Sequence, residues 1–267
     1  MFRYFDAHSH IHGKEYDLDR AEVLSRMREA QVGTITVGTH LETSREAAEL
    51  AKNEPDVWAA VGLHPTDTTE DFNPDEYREF LKNPKVVAIG ECGLDYFRLG
   101  ENAENEKGRQ KKNFLSQLEF AKNANLPLMI HCRPSGKTMD AHEDMLAILN
   151  SYFINHKSSL RGNIHFFTGT EDIAKRYVEL GFSVSFPGVV TFTDEYEGVI
   201  NGCPEQNILS ETDAPYATPT PFRGKRNEPT YVIETVKKLA EVRGVSLEQF
   251  SKVLVENVSR VFNIRLS

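Results

Sequence analysis

The sequence predicts an α/β fold in one domain, a (β/α)8 TIM barrel spanning residues 1–267. Three observations predict it. Eight short apolar stretches, β-branched or aromatic, read as strands. Segments with helical periodicity lie between most of them. Histidines and carboxylates recur where strands end, the place at which such barrels carry their chemistry. Alternating strand and helix means parallel strands. A doubly wound open sheet is the main competitor, but it usually stops at fewer strands.

The strands are expected at Phe2–His8, Gly33–Thr39, Val57–Leu63, Val86–Glu91, Pro127–His131, Asn163–Phe167, Phe182–Phe186 and Ile208–Thr212. Val23, Leu24, Met27 and Ala30 share one helical face. So do Phe114, Leu115, Leu118 and Ala121, and so do Ile173, Ala174, Tyr177 and Val178. Thr43-Ser44-Arg45-Glu46 and Ser246-Leu247-Glu248-Gln249 have the form of capping boxes. After the eighth strand, Val232, Ile233, Val236, Leu239 and Ala240 mark a helix, and Leu247 to Phe262 another. Phe97–Lys112 is polar and charge-rich and reads as a loop insertion over the barrel mouth. No linker or internal repeat divides the chain.

A hydrophobic fraction of 39% supports a substantial core. The formal net charge of −9 argues against a broad basic footprint for nucleic acid. It does not count a cation bound inside a site. No apolar run approaches the length of a membrane span, and the N-terminus enters a strand with no signal region. Cys92, Cys132 and Cys203 are odd in number and widely spaced, as expected of reduced thiols in a cytoplasmic protein. A monomer is favoured.

The first strand runs into Asp6-Ala7-His8-Ser9-His10. Alternation on a strand projects Asp6, His8 and His10 together. Two imidazoles and a carboxylate suit a divalent transition metal such as Zn²⁺ or Mn²⁺. The third strand ends at His64, the fourth in Glu91 to Asp95, the fifth in His131-Cys132-Arg133. The sixth carries His165 and the eighth Glu211-Thr212-Asp213. A lone buried His165 reads as a core hydrogen-bonding group; in this ring it reads as a ligand. Glu91 lies among Ile89 and two glycines, where a carboxylate is costly to bury without a charge partner. Glu211 is either an orienting group or a salt-bridge acid. His64 is open between ligand, phosphate donor and structural donor. Asp6 is expected to orient a ligand imidazole. Cys92 and Cys132 each follow a ligand candidate and should face the core. His12, His142 and His156 are expected in solvent, and His40 ends the second strand. The cluster Arg223, Lys225, Arg226 follows the eighth strand and has an anion-contacting role or none.

These residues make the chain similar to the TatD family of metal-dependent hydrolases, within the amidohydrolase-like barrels. The matching motifs are Asp6-Ala7-His8-Ser9-His10, Val61-Gly62-Leu63-His64-Pro65, Ala88-Ile89-Gly90-Glu91-Cys92-Gly93-Leu94-Asp95-Tyr96, Ile130-His131-Cys132-Arg133, Phe167-Thr168-Gly169, Glu211-Thr212-Asp213-Ala214-Pro215 and Arg226-Asn227-Glu228-Pro229. Their order covers essentially the whole chain. The family's His-Cys-Phe-Thr-Gly is here His165-Phe166-Phe167-Thr168-Gly169, which keeps the ligand.

The resemblance implies two divalent ions per chain, Zn, Mn or Mg. It implies that His8, His10 and Asp213 hold one, that Glu91 bridges, and that His131 and His165 complete the other. It implies a deoxyribonuclease, a 3′-5′ exonuclease that cleaves phosphodiester bonds at DNA ends with a metal-activated hydroxide. In that reading Asp213 is the proton acceptor and His64, Arg133 and Arg226 are the candidate phosphate contacts. The alternative on the same site is a D-aminoacyl-tRNA deacylase or another small-molecule ester or amide hydrolase. A non-catalytic metal-binding scaffold is a third possibility, disfavoured by the complete ligand ring.

Overall fold

The computed structural model describes residues 2–68, 70–97, 99–156 and 160–266. Its strands are β1 (Tyr4–Ser9), β2 (Val32–Val37), β3 (Val57–Val61), β4 (Val86–Asp95), β5 (Leu128–Arg133), β6 (Gly162–His165), β7 (Phe182–Phe186) and β8 (Ile208–Ser210). They hydrogen-bond in chain order, every neighbouring pair parallel. The helices are α1 (Arg20–Glu29), α2 (Leu41–Asn53), α3 (Pro74–Tyr77), α4 (Ala103–Ala124), α5 (Asp140–His156), α6 (Glu171–Glu179), α7 (Glu197–Gly202), α8 (Val232–Arg243) and α9 (Leu247–Phe262). The eight expected strands are all present, with ends displaced by a few residues.

Between β1 and β8 the join is narrow. An isolated bridge links Ser9 to Ala214, and the Asp213 and His10 N–H groups donate to the carbonyls of His8 and Ala214 at 2.9 and 2.7 Å. The Asp6 carboxylate adds a side-chain strap, accepting from Thr212 N–H and Thr212 Oγ1 at 2.8 and 2.6 Å.

Strand residues alternate between two apolar layers, as parallel strands covered on both sides require. Phe5, Ala7, Ile35, Val37, Trp58, Ala60 and Met129 share the inner cluster with Val258, Val261 and Phe262 of α9. This closes the end of the barrel opposite the histidines. The outer layer, between sheet and helices, holds Cys92 and Cys132 as expected. Register shifts on β1 between Asp6 and Ser9, and on β4 between Ile89 and Cys92. Such bulges re-aim side chains, and both occur where the site residues sit.

Several expectations need correction. Phe97–Lys112 is not a loop insertion along its length, because α4 begins at Ala103. The acidic first turn, Glu104 and Glu106, complements the helix N-terminus. The α2 helix starts at Leu41, before the expected box, and Thr43 Oγ1 accepts from His40 N–H at 3.0 Å. The second capping residue is as expected, Ser246 Oγ accepting from Gln249 N–H at 3.2 Å. His12 and His142 are buried rather than solvated, bonded to Thr36 Oγ1 and the Tyr177 hydroxyl. The His156 side chain lies outside the described residues.

Candidate metal centre

At the carboxyl ends of the strands lies a cavity of about 860 Å³, lined by His10, His64, Glu91, His131, His165 and Asp213. Arg133, Phe166, Tyr196 and Tyr216 also line it. Glu91, on β4, is the hub. Five imidazoles face its carboxylate: His131 Nδ1 at 3.0 Å, His165 Nε2 at 3.1 Å, His64 Nε2 at 3.3 Å, His8 Nε2 at 3.5 Å and His10 Nε2 at 3.8 Å. Asp213 Oδ1 lies 3.5 Å from His10 Nε2 and 3.7 Å from His8 Nε2. The backbone at Asp213 has φ of +55°, which asparagine and aspartate tolerate better than most residues.

Most rings are anchored by the nitrogen that faces away from Glu91. His10 Nδ1 donates to the Val37 carbonyl at 2.7 Å. His131 Nε2 meets Asp95 Oδ2 at 2.9 Å, and His165 Nδ1 meets Glu211 Oε1 at 3.2 Å. His64 Nδ1 meets Thr66 Oγ1 at 2.7 Å. Each anchor fixes a tautomer and turns the other nitrogen inward. Glu211 is itself held by Phe166 N–H and the Ser185 hydroxyl. His8 Nδ1 is buried without a partner among the described residues.

Electrostatics point the same way. Burial alone would raise the Glu91 carboxyl, but His64, His165 and the other imidazoles hold it well below its usual value. Burial pushes His8 down to about 3, with His165 adding to the effect. Burial would also lower His10, His131 and His165, yet each is drawn above its ordinary value by facing carboxylates. Asp213 acts on His10, Asp95 on His131 and Glu211 on His165, each together with Glu91. The cluster therefore calls for positive charge at its centre. Inward imidazole nitrogens and carboxylate oxygens form a donor set suited to divalent cations. Three overlapping groups bring ligand atoms within 4.8 Å of one another: His8, His10, Glu91; His64, Glu91, His131; and His8, His165, Glu211.

The structure brings together His8, His10, His64, Glu91, His131, His165 and Asp213. Glu211 contacts His165 at 3.2 Å, an orienting contact that is also an ion pair when the imidazole is protonated. Asp6 does not orient an imidazole. Beyond its bonds to Thr212, its Oδ1 accepts from the His8 backbone N–H at 3.2 Å, because the bulge on β1 breaks strict alternation. Arg226 is not at the cavity. It forms a two-pronged ion pair with Asp19, at 2.8 and 2.6 Å, and its guanidinium lies over the Tyr16 ring. Arg133, a candidate phosphate contact, is exposed and lines the cavity. Asp95 was given no role by sequence reasoning. The available signal was parity, since Glu91, Gly93 and Asp95 are two apart on one strand.

The TatD related DNase family model matches residues 5–263. The uncharacterized metal-dependent hydrolase YabD of Bacillus subtilis (strain 168) is 36% identical over 265 residues, covering 97% of this chain and 99% of that one. A protein named 3′-5′ ssDNA/RNA exonuclease TatD, from Escherichia fergusonii, is 31% identical over 272 residues, covering 97% and 99%. The crystal structure of YjjV, a TatD homolog from Escherichia coli K12, superposes with a TM-score of 0.87 at 28% identity, covering 98% and 99%.

Proposed function

The chain belongs to the TatD related DNase family of metal-dependent hydrolases, and from that premise we propose that it is a 3′-5′ exonuclease acting on single-stranded nucleic-acid ends. The reading is supported above all by Glu91, a buried carboxylate ringed by imidazoles whose outer nitrogens are anchored elsewhere. We assign His8, His10 and Asp213 to one divalent ion, His131 and His165 to a second, and Glu91 to both. Zn, Mn and Mg are the candidate ions.

Bound there, divalent cations supply Lewis acidity toward a phosphoryl oxygen and acidify a water molecule. The protein's part is positioning and proton transfer. Asp213 stands at the open side of the cluster, half-buried, and takes the proton of the attacking water, later returning it to the leaving oxygen. Asp95 and Glu211 keep His131 and His165 in the tautomer and rotation that ligation needs. Arg133 offers a fixed cation for a phosphate beside the cleaved bond. His64 holds either a metal or that phosphate.

Among the described residues no helix is long and apolar enough to cross a membrane. The cysteines are free and buried, which supports a reducing, cytoplasmic setting.

The test is incubation of the metal-loaded protein with end-labelled DNA. Mononucleotides should appear from single-stranded 3′ ends, duplex should be cut more slowly, and closed circles slowest. Asp213→Asn should lower turnover about 100-fold or more. Rapid cutting of closed circles would contradict exonuclease action. Deacylation of D-aminoacyl-tRNA without nuclease activity would move the assignment to that reaction.

A further inference from the structure

We propose that two arginine–phenylalanine pairs across the mouth, Arg133 on Phe97 and Arg223 on Phe192, act with Tyr216 as stacking stations that select an unpaired strand. The proposal rests on the nuclease reading above and names the residues that would give it single-strand preference.

Three aromatic side chains stand out for their exposure: Phe97 at 44%, Phe192 at 44% and Tyr216 at 60%. Each follows the carboxyl end of a strand. Phe97 comes two residues after β4, Phe192 ends the turn after β7, and Tyr216 lies in the loop after β8. All three therefore stand on the face that holds the metal centre. Scattered exposed apolar residues need no explanation. Aromatic ones gathered on the face with the site do.

A second, independent observation concerns charge. The Arg133 guanidinium lies over the Phe97 ring, 3.8 Å from its centroid, and Arg223 lies over Phe192 at 4.0 Å. Many of the other arginines in this acidic chain are tied to carboxylates, as Arg26 is to Glu228 and Arg226 to Asp19, while Arg161, Arg243 and Arg260 are taken up by backbone carbonyls. Neither Arg133 nor Arg223 forms an ion pair among the described residues; Arg223 donates only to the Thr218 carbonyl, at 3.1 Å. Each pair thus presents an uncommitted cation beside an aromatic face. A single-stranded nucleotide matches both, with a phosphate for the guanidinium and a base for the ring. In a duplex the bases are stacked on one another and offer no free face.

Position completes the argument. One pair stands at β4 and β5 and the other beyond β7 and β8, across the barrel mouth in the strand order. In the proposed path a strand running between them crosses the cavity that Glu91 and Arg133 line. The Tyr216 ring centroid is 6.3 Å from that of His10, and Tyr216 lines the cavity while Phe97 and Phe192 do not, so we take Tyr216 as the station beside the cleaved bond. One pair then holds the nucleotide being released and the other the retained strand.

The experiment compares metal-loaded wild type with Phe97→Ala, Phe192→Ala and the corresponding Phe→Tyr variants. Substrates are a short single-stranded oligonucleotide, its blunt duplex, and bis(p-nitrophenyl) phosphate, a diester with no base. The ratio of kcat/KM on the single strand to that on the small diester should fall about 10-fold or more in each Ala variant, mainly through KM. The Tyr variants should restore it, and the single-strand to duplex ratio should shrink in the Ala variants. Binding of the labelled oligonucleotide, measured in an Asp213→Asn background, should weaken by a similar factor. Unchanged ratios and affinity in both Ala variants would overturn the stations while leaving the nuclease intact. Wild type that hydrolyses neither oligonucleotide nor small diester would overturn the reading beneath them.

Discussion

Burial gives His142 a measurable pH signature. Burial pushes its imidazole down to about 4, with the nearby His131 charge adding to the effect. The unfolded chain binds the proton near the ordinary value of 6.5, so folding favours the neutral form. Stability from this residue is complete above pH 6.5 and is lost as the pH falls toward 4. Urea denaturation across that range should show wild type losing up to about 3 kcal/mol more than His142→Gln. Equal losses would mean that His142 charges without cost. At this scale the ligand candidates were legible because each is a His or carboxylate at a strand end. Arg226 and Asp6 were not. Their partners, Asp19 and Thr212, are distant in the chain, and only the closed barrel brings them together.

Among the elements, α4 departs most from expectation. Part of its inner face is polar: Gln110, Asn113 and Gln117 are buried at helical spacing. Gln117 accepts from Leu63 N–H at 2.8 Å and donates to Leu63 O at 2.9 Å. Gln110 does the same at Asp95, at 2.8 and 3.0 Å. The helix therefore serves the backbone at the end of β4 and just past the end of β3, two strands that lead into the site. Hydrophobic periodicity does not register a face written in amides, which is why the start of α4 read as a loop. Gln117→Leu leaves two buried backbone groups unpaired and should cost about 2 to 4 kcal/mol in chemical denaturation. A loss below 1 kcal/mol would show that water replaces the amide there. By contrast, α9 was readable to its ends, because Phe250, Leu254, Val258 and Val261 form an apolar stripe behind a serine cap.

For the whole molecule, the barrel was legible because parallel strands buried on both sides must be apolar throughout. The loops that hold Phe97, Phe192 and Tyr216 were not, since an exposed aromatic in a loop, whether under an arginine as Phe97 and Phe192 are or beside His10 as Tyr216 is, leaves no periodic trace. The narrow join between β1 and β8 has its own consequence. It is a seam, and the proposed ligands straddle it, His8 and His10 on one lip and Asp213 on the other. Cations held by both lips would work as rivets, so the loaded protein should resist opening there more than elsewhere. Chelation followed by hydrogen–deuterium exchange should accelerate exchange in peptides covering β1 and residues 208–215, while the amides pairing β2 with β3 keep their protection. Uniform change around the ring would mean that the seam carries no special load. Localised change would make loss of metal a mechanical event as well as a chemical one: the barrel would unzip first where its catalyst had been.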